Sequence, residues 1–548
     1  MSNVFSLCVP TIIFTFCFHL GAEVNHIIPC GKHWLETQGS TVSAVLAKPI
    51  TQSAKNTFDI GDTLQVPVSG DVFTRKTTCR YKSERAYIFV EDRIWDVTVV
   101  EQSIVKLGEL IDHSAPSDST RGFFDILTDA FGAFPDVDGD SRIFIYVVDL
   151  PGNNLVGYFD SQISTHPDPR FRHDAIYIDG HLLNSRPYLA HATMAHELQH
   201  LIHWGQDSDE EIWLDEGLSG YAEELVGYPE ADPNMVLNFL SNPDINFTKW
   251  PNALSLATPY YGATYLFVSF LQERFGAQFV LQLVSEPRNG IFSIDEVLKA
   301  QGISLGFRDL WENWILANST SGDSDHTYAA LRGRTPFSYG LNEMPIGPIG
   351  GQVQHQWGSV NILFRSSGHI RVNFDGADGA DYVLWSYGMK GNNRNRLVQA
   401  ELDDENRSSL VWTGIDSLKL IVGSKSRLPS EFIISADYHK NDPVATHVEV
   451  SPDIILSDWT LGYGFPNPFN SNISIPIELI KNQSVELSIF NAYGQKVRSL
   501  YEGWLSSGSH QFSWDGKDES GYQLASGQYQ VLLRLTRRDE IRSIVLLK

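Results

Sequence analysis

Positive charge is in short supply. Lys and Arg number 41 against 66 Asp and Glu, a formal net charge of −25 over 548 residues. An acidic surface repels phosphate backbones, which excludes nucleic acid as a partner, and it disfavours anionic membranes. It suits a soluble protein in salty or extracellular surroundings. Long apolar runs are lacking too. Outside residues 4–20 no segment approaches 18 uninterrupted apolar residues, so no further membrane-spanning helix is expected. Cysteine is scarce, with four residues at 8, 17, 30 and 79. What is present is an ordinary apolar fraction, 42%, which excludes wholesale disorder, and a length that predicts about three or four domains.

Residues 4–20, VFSLCVPTIIFTFCFHL, followed by Leu20-Gly21-Ala22, read as an export signal cleaved near Ala22, so 1–22 is set apart. Cleavage leaves Cys30 and Cys79, and two cysteines in an exported chain suggest one disulfide. Residues 23–95 alternate short β-like runs with polar turns and read as a β-rich segment or pro-segment. From 96 to 335 helical periodicity alternates with strands such as 142–149 and 175–179, an α+β domain. After about 336 helical periodicity disappears, and short strands at turn-punctuated intervals predict two all-β sandwich modules, 336–446 and 447–548.

The most informative segment is HATMAHELQHLIHW, 191–204. Pro187 suits its first turn, and Ala190, Met194, Leu198 and Ile202 recur every four residues as a core-facing stripe. His196 and His200 lie on the other side, about 6 Å apart along the axis, so one metal ion can meet both imidazoles. Glu197 sits about 100° round the helix, placed to reach a metal-bound water rather than the metal. A metzincin needs Gly and His where His203 and Gln206 stand, so that class is excluded. His203 lies about 10 Å along the axis from His196, too far to share its metal, and reads as a pocket or surface residue. His191 points away and reads as structural. Downstream, EEIWLDEGLSGYAEELVG (210–227) predicts a second amphipathic helix. Glu216, sixteen positions after His200, can complete a His₂Glu zinc site with one open position.

HELQH followed by WLDEGLSGYAEE resembles the gluzincin peptidases. The second segment is similar to that of aminopeptidase N-like enzymes. PDVDGDSRIFIYVVD (135–149) and GYFD (157–160) are similar to the secreted hyicolysin-type metallopeptidases. The resemblance covers roughly 79–290 and implies a zincin-like fold, with Zn²⁺ held by His196, His200 and Glu216, Glu197 as catalytic base, and a protein or peptide as substrate. In aminopeptidase N-like enzymes a Tyr before a Gly-Ala steadies the oxyanion. PYYGATYLF offers Tyr260 and Tyr261, though their offset from Gly262 differs from the family spacing. The amine-capturing G-x-M-E-N segment of those enzymes is missing, which points to an endopeptidase. Gly220 stands where thermolysin-like enzymes place an Asp, so another group must orient a ligand histidine. Glu223 is either that carboxylate or part of a solvated face, and the solvated face is the expected reading. Asp136, Asp138 and Asp140 in DVDGD suit either a Ca²⁺-stabilised turn or a plain Asx-rich turn. Val147 stands where an EF-hand needs Glu.

In the last module, Pro466-Asn467-Pro468-Phe469, Tyr493-Gly494, Trp514-Asp515-Gly516 and Ser526-Gly527-Gln528-Tyr529 resemble FlgD-like Ig and type IX sorting modules. That resemblance implies bacterial secretion machinery as a partner and a secreted chain, free or attached to the cell surface. A monomer is expected. Two other readings stay open: a non-catalytic surface-binding protein with a vestigial zinc site, and an aminopeptidase.

Overall fold

The computed structural model describes residues 57–439 and 459–546 apart from short internal stretches, among them 151–154, 254–255, 321–327, 391–394 and 462–468. The export signal at 1–22 and Cys30, the expected partner of Cys79, lie outside the described residues. Cys79 itself is a buried thiol, 3.3 Å from the Tyr81 carbonyl oxygen, and burial pushes it up to about 11.

The N-terminal part is a mixed α+β domain. Strands β1 (Thr63–Val66), β2 (Arg75–Lys82) and β3 (Ala86–Glu91) pair antiparallel in sequence. Helices α1 (Glu101–Asp112) and α2 (Phe123–Phe131) then lead to β4 (Ile143–Val148), which is parallel to β3. Strand β5 (Gly157–Phe159), the short α3 (Ser161–Ser164) and β6 (Ala175–Asp179) follow, and the sheet order is β1-β2-β3-β4-β6-β5. The sheet therefore runs across residue 95, where the sequence pattern placed a boundary. The change there is from antiparallel meander to strand–helix crossover, which alters the periodicity without leaving the sheet.

Strands β3, β4 and β6 are buried on both faces, as parallel strands must be. Period-two alternation gives one face to the rings of Tyr87, Phe89, Phe144, Tyr146 and Tyr177. The other face presents Ile88, Val90, Ile145, Val147, Ile176 and Ile178 to the helices. After α4 (Gly180–Ser185) comes α5 (Pro187–Gln206), with Pro187 in its first turn. Every residue from Leu189 to His203 is buried, so the predicted apolar stripe is one part of a helix enclosed on all sides. Helix α6 (Ile212–Leu225) packs on it. Helices α7 (Pro233–Ser241), α8 (Thr258–Phe275), α9 (Ala277–Val284), α10 (Ile291–Ala300) and α11 (Phe307–Ser319) complete the domain. Gly217 lets α8 approach α6 closely, since a Cβ there would meet the Thr264 carbonyl oxygen at 2.9 Å.

β-Sheet-rich regions follow. Among the described residues, nine strands between Ser338 and His439 form a four-stranded and a five-stranded sheet. In the strand Ser417–Ser424, Leu418, Leu420 and Val422 face the core between these sheets, while Lys419, Ile421 and Gly423 face α11. Trp311 of α11 donates from its indole to the Trp357 carbonyl at 2.7 Å, tying this region to the helical domain. Strands between Trp459 and Leu546 form a three-stranded and a four-stranded sheet around Trp514, which Phe469 and Tyr529 pack against. Pro466, Asn467, Pro468, Tyr493 and Gly494 of the sequence signature lie outside the described residues. No helix among the described residues is long and apolar enough to cross a membrane.

Lys419 is buried and donates to the Ser319 carbonyl at 2.8 Å, at the C-terminus of α11. Burial pushes its ammonium down to about 8. The folded chain thus holds this proton less tightly than the unfolded chain, at a cost of about 3 kcal/mol below pH 8. Stability from this group rises as pH climbs from about 8 to about 10.4, the ordinary lysine value. Lys419→Met should therefore raise the Tm at pH 7, the lost hydrogen bond offsetting part of the gain. Its advantage should shrink over that interval in calorimetry; a variant less stable at pH 7 would contradict this account.

Candidate metal centre

Helices α5 and α6 bring His196, His200 and Glu216 together, all buried. Glu216 Oε2 lies 3.1 Å from His196 Nε2 and 3.7 Å from His200 Nε2. A tetrahedral site with bonds of about 2.0–2.1 Å has ligand atoms about 3.3 Å apart, and the two distances from Glu216 to the imidazoles lie close to this. The second carboxylate oxygen of Glu216 is buried with no hydrogen-bond partner. An orphaned buried acceptor of this kind fits a cation site. The donor set, two imidazoles and one carboxylate, is that of catalytic zinc. Arrangement and chemistry together make this a zincin-type metal site.

The electrostatics agree. Burial opposes charge on His196, yet the Glu216 and Glu223 carboxylates outweigh it and hold the imidazole well above its usual range. For His200, burial is overcome by Asp215 and then Glu216, which lift it to about 9. Burial would raise Glu216, but the two histidines pull it down to about 2. Carboxylates that keep protons on buried imidazoles in this way can hold a dication in the protons' place.

Each ligand histidine is oriented through its other nitrogen. His196 Nδ1 lies 2.8 Å from Glu223 Oε1, so Glu223 is a supporting carboxylate and not part of a solvated face. Helix α6 is closed in by α5 and α8, and the face that looked solvent-directed by pattern is turned into the site. His200 Nδ1 lies 2.8 Å from Asp215 Oδ2 and 3.1 Å from Ser219 Oγ. Asp215 and Ser219 were missed in the sequence. Their signal was the i, i+4, i+8 spacing of Asp215, Ser219 and Glu223 around the ligand Glu216. His203 is buried, not exposed, and its Nδ1 lies 2.6 Å from the other Asp215 oxygen. His191 is held by the Tyr228 hydroxyl at 3.1 Å, away from the cluster, and burial pushes it down to about 4.

Glu197 is fully buried beside the ligands. Burial drives its carboxyl up to about 7, against the pull of His196 and His200 and a hydrogen bond from the Phe159 backbone in β5. Tyr260 and Tyr261 stand in the first turn of α8 and pack on Trp250, with ring centroids 5.9 and 4.9 Å away. The Asp-rich turn differs from expectation. Asp136 and Asp138 gather with Asp174, not Asp140. Asp140 is committed to the Tyr87 hydroxyl at 2.9 Å and the Arg142 guanidinium at 2.7 Å. The Asp136–Asp138–Asp174 group is an all-oxygen set of the type calcium takes. A cavity of about 200 Å³ lined by Asp244, Tyr339, Gln352 and Asn361 lies away from all these groups and gathers no such cluster.

Comparison with known proteins adds one assignment. Residues 472–539 match the FlgD Ig-like domain family. No curated protein matches the chain. Among solved structures, the pre-peptidase C-terminal domain of a Bacillus anthracis collagenase is 10% identical, covering 19% of this chain and 98% of that one, with a TM-score of 0.16. PorZ of the Porphyromonas gingivalis type-IX secretion system is 11% identical over 30% of this chain and 22% of its own, TM-score 0.13. Dimeric latent PorU from the same organism is 9% identical over 38% and 32%, TM-score 0.15. Likenesses this slight carry no argument.

If Glu223 orients His196, Glu223→Gln should weaken zinc binding by about 10–100-fold, the usual loss when a ligand's supporting carboxylate is removed. Competition against a chelator of known affinity would measure it. Unchanged affinity in the folded variant would mean that the 2.8 Å contact does not support the ligand.

Proposed function

We propose that the chain is a secreted, zinc-dependent metalloendopeptidase of the gluzincin type, similar in kind to hyicolysin-like enzymes. The observation that carries this reading is the convergence of His196, His200 and Glu216, with Glu216 3.1 and 3.7 Å from the two imidazoles and Glu197 buried at their side. Zinc held there would supply an acidified water and polarise the scissile carbonyl. His196, His200 and Glu216 bind the ion, and Glu223 and Asp215 keep the imidazole Nε2 atoms turned inward. Glu197 takes a proton on its carboxylate and passes it to the leaving amine. A carboxyl lifted to about 7 by burial suits both transfers near neutral pH. Strand β5 is the last strand of its sheet, and Phe159 within it touches Glu197. Its outer edge is suited to an extended peptide, which would lie beside the base. Tyr260 or Tyr261 is proposed as the oxyanion donor. The missing amine-capturing segment favours internal cleavage. The FlgD Ig-like module supports export and surface attachment through bacterial secretion machinery.

Glu197→Gln keeps size and most hydrogen bonding but cannot accept a proton. The variant should fold and retain zinc, while turnover falls by at least about 10²-fold. KM should change much less, since the lost interaction acts in the transition state. Zinc content and peptide-library cleavage read by mass spectrometry on one preparation decide it. Near-wild-type turnover with zinc bound would overturn the assignment of the base. A fully zinc-loaded wild type that cleaves nothing in the library would overturn the peptidase reading.

A further inference from the structure

Immediately beyond the HExxH helix a second group of ligand-type atoms converges. His203, Asp207 and Glu210 each offer one atom, and these atoms lie within 4.8 Å of one another. The three follow an H-x-x-x-D-x-x-E pattern that wraps the C-terminus of α5, where the last carbonyls favour a cation. His203 is 1% exposed and Asp207 8%. His203 Nε2, Asp207 Oδ2 and Glu210 Oε2 are all buried and have no hydrogen-bond partner. An orphaned polar atom on each of three clustered residues is costly for a protein, because each was stripped of water without a replacement. Other bonds fix how each group is held. His203 Nδ1 is engaged by Asp215 at 2.6 Å, which leaves the buried Nε2 as the ligand atom. Glu210 Oε1 accepts from the Gly290 backbone N–H at 2.6 Å, which leaves Oε2 over.

We propose that His203, Asp207 and Glu210 form a second divalent transition-metal site, joined to the first through Asp215. An imidazole nitrogen with two carboxylates is a zinc-type donor set, whereas calcium and magnesium take oxygen alone. Asp215 supplies the link: one oxygen meets His200 Nδ1 at 2.8 Å and the other His203 Nδ1 at 2.6 Å. One carboxylate thus orients a ligand of each ion. An ion on His203 Nε2 would hold its ring, and through it Asp215, in the position that His200 needs. The site stands on its own donor atoms and does not depend on the peptidase reading.

The test is equilibrium dialysis of the chelator-stripped full chain against buffered Zn²⁺, with Ca²⁺ in excess to occupy oxygen-only sites. Bound zinc is read by elemental analysis and folding by circular dichroism. Wild type should hold about two equivalents per chain, and His203→Asn and Glu210→Gln about one each. Glu210→Gln alters only the turn after α5, and it keeps the test decisive if His203→Asn fails to fold. One equivalent in wild type would overturn the proposal, as would unchanged stoichiometry in a folded variant. Loss of both ions in both variants would also overturn it, because the cluster would then only be supporting the first site. His196→Gln reports on the first site alone: retention of both ions there would refute the His₂Glu centre and leave the second site standing.

Discussion

Everything around the centre follows from sealing acids and imidazoles between two packed helices. Glu197, Asp215 and Glu216 are at most 1% exposed, and His196, His200 and His203 at most 2%. Buried ionised groups are tolerated only when they compensate one another or share a cation. Glu223 and Ser219 add further contacts to the ligand imidazoles. Helix α5 is enclosed by the sheet, α2 and α6, and Ala190, Ala192, Met194, Ala195, Leu198, Leu201 and Ile202 give it an apolar core face. The cluster is therefore a constraint on folding as well as a site, and a cation can take the place of the protons that its carboxylates hold on the imidazoles.

The register of one short helix governs the geometry. Asp215, Ser219 and Glu223 recur every four residues and so share one face of α6, with Glu216 beside the first of them. That face meets both ligand histidines. Rotating α6 by one residue would move ligand and supporting groups together. Helix α8 prevents this from the opposite side, where Gly217 and Gly220 face Thr264 and Tyr265. A glycine next to the ligand glutamate is thus explained by helix packing and not by chain flexibility.

Much of this was legible in the sequence. The HExxH spacing and the sixteen-residue step to Glu216 pointed to the three residues that the fold gathers, and strands such as Ala86–Glu91 and Ala175–Asp179 stood out by their apolar content. What escaped was information held by tertiary contacts. Glu223 was read as solvent-facing because a one-dimensional pattern cannot tell that its polar face is covered. Asp215 was hidden by lying next to the ligand it supports. Asp174 is far in sequence from the DVDGD turn it joins, while Asp140, inside that turn, is taken by Tyr87 and Arg142. The first helices, Glu101–Asp112 and Phe123–Phe131, lie in a stretch where no motif drew attention. The pairing of β3 with β4 across residue 95 rests on hydrogen bonds that sequence proximity does not reveal.

The account rests on a cation seated between His196, His200 and Glu216. Anomalous diffraction on zinc-loaded crystals of the full chain, recorded on both sides of the zinc absorption edge, tests this directly. A difference peak about 2.0–2.2 Å from His196 Nε2, His200 Nε2 and a Glu216 carboxylate oxygen is the predicted result. Density above and below the edge that leaves this position empty, with the three side chains bonded only to one another, would contradict it.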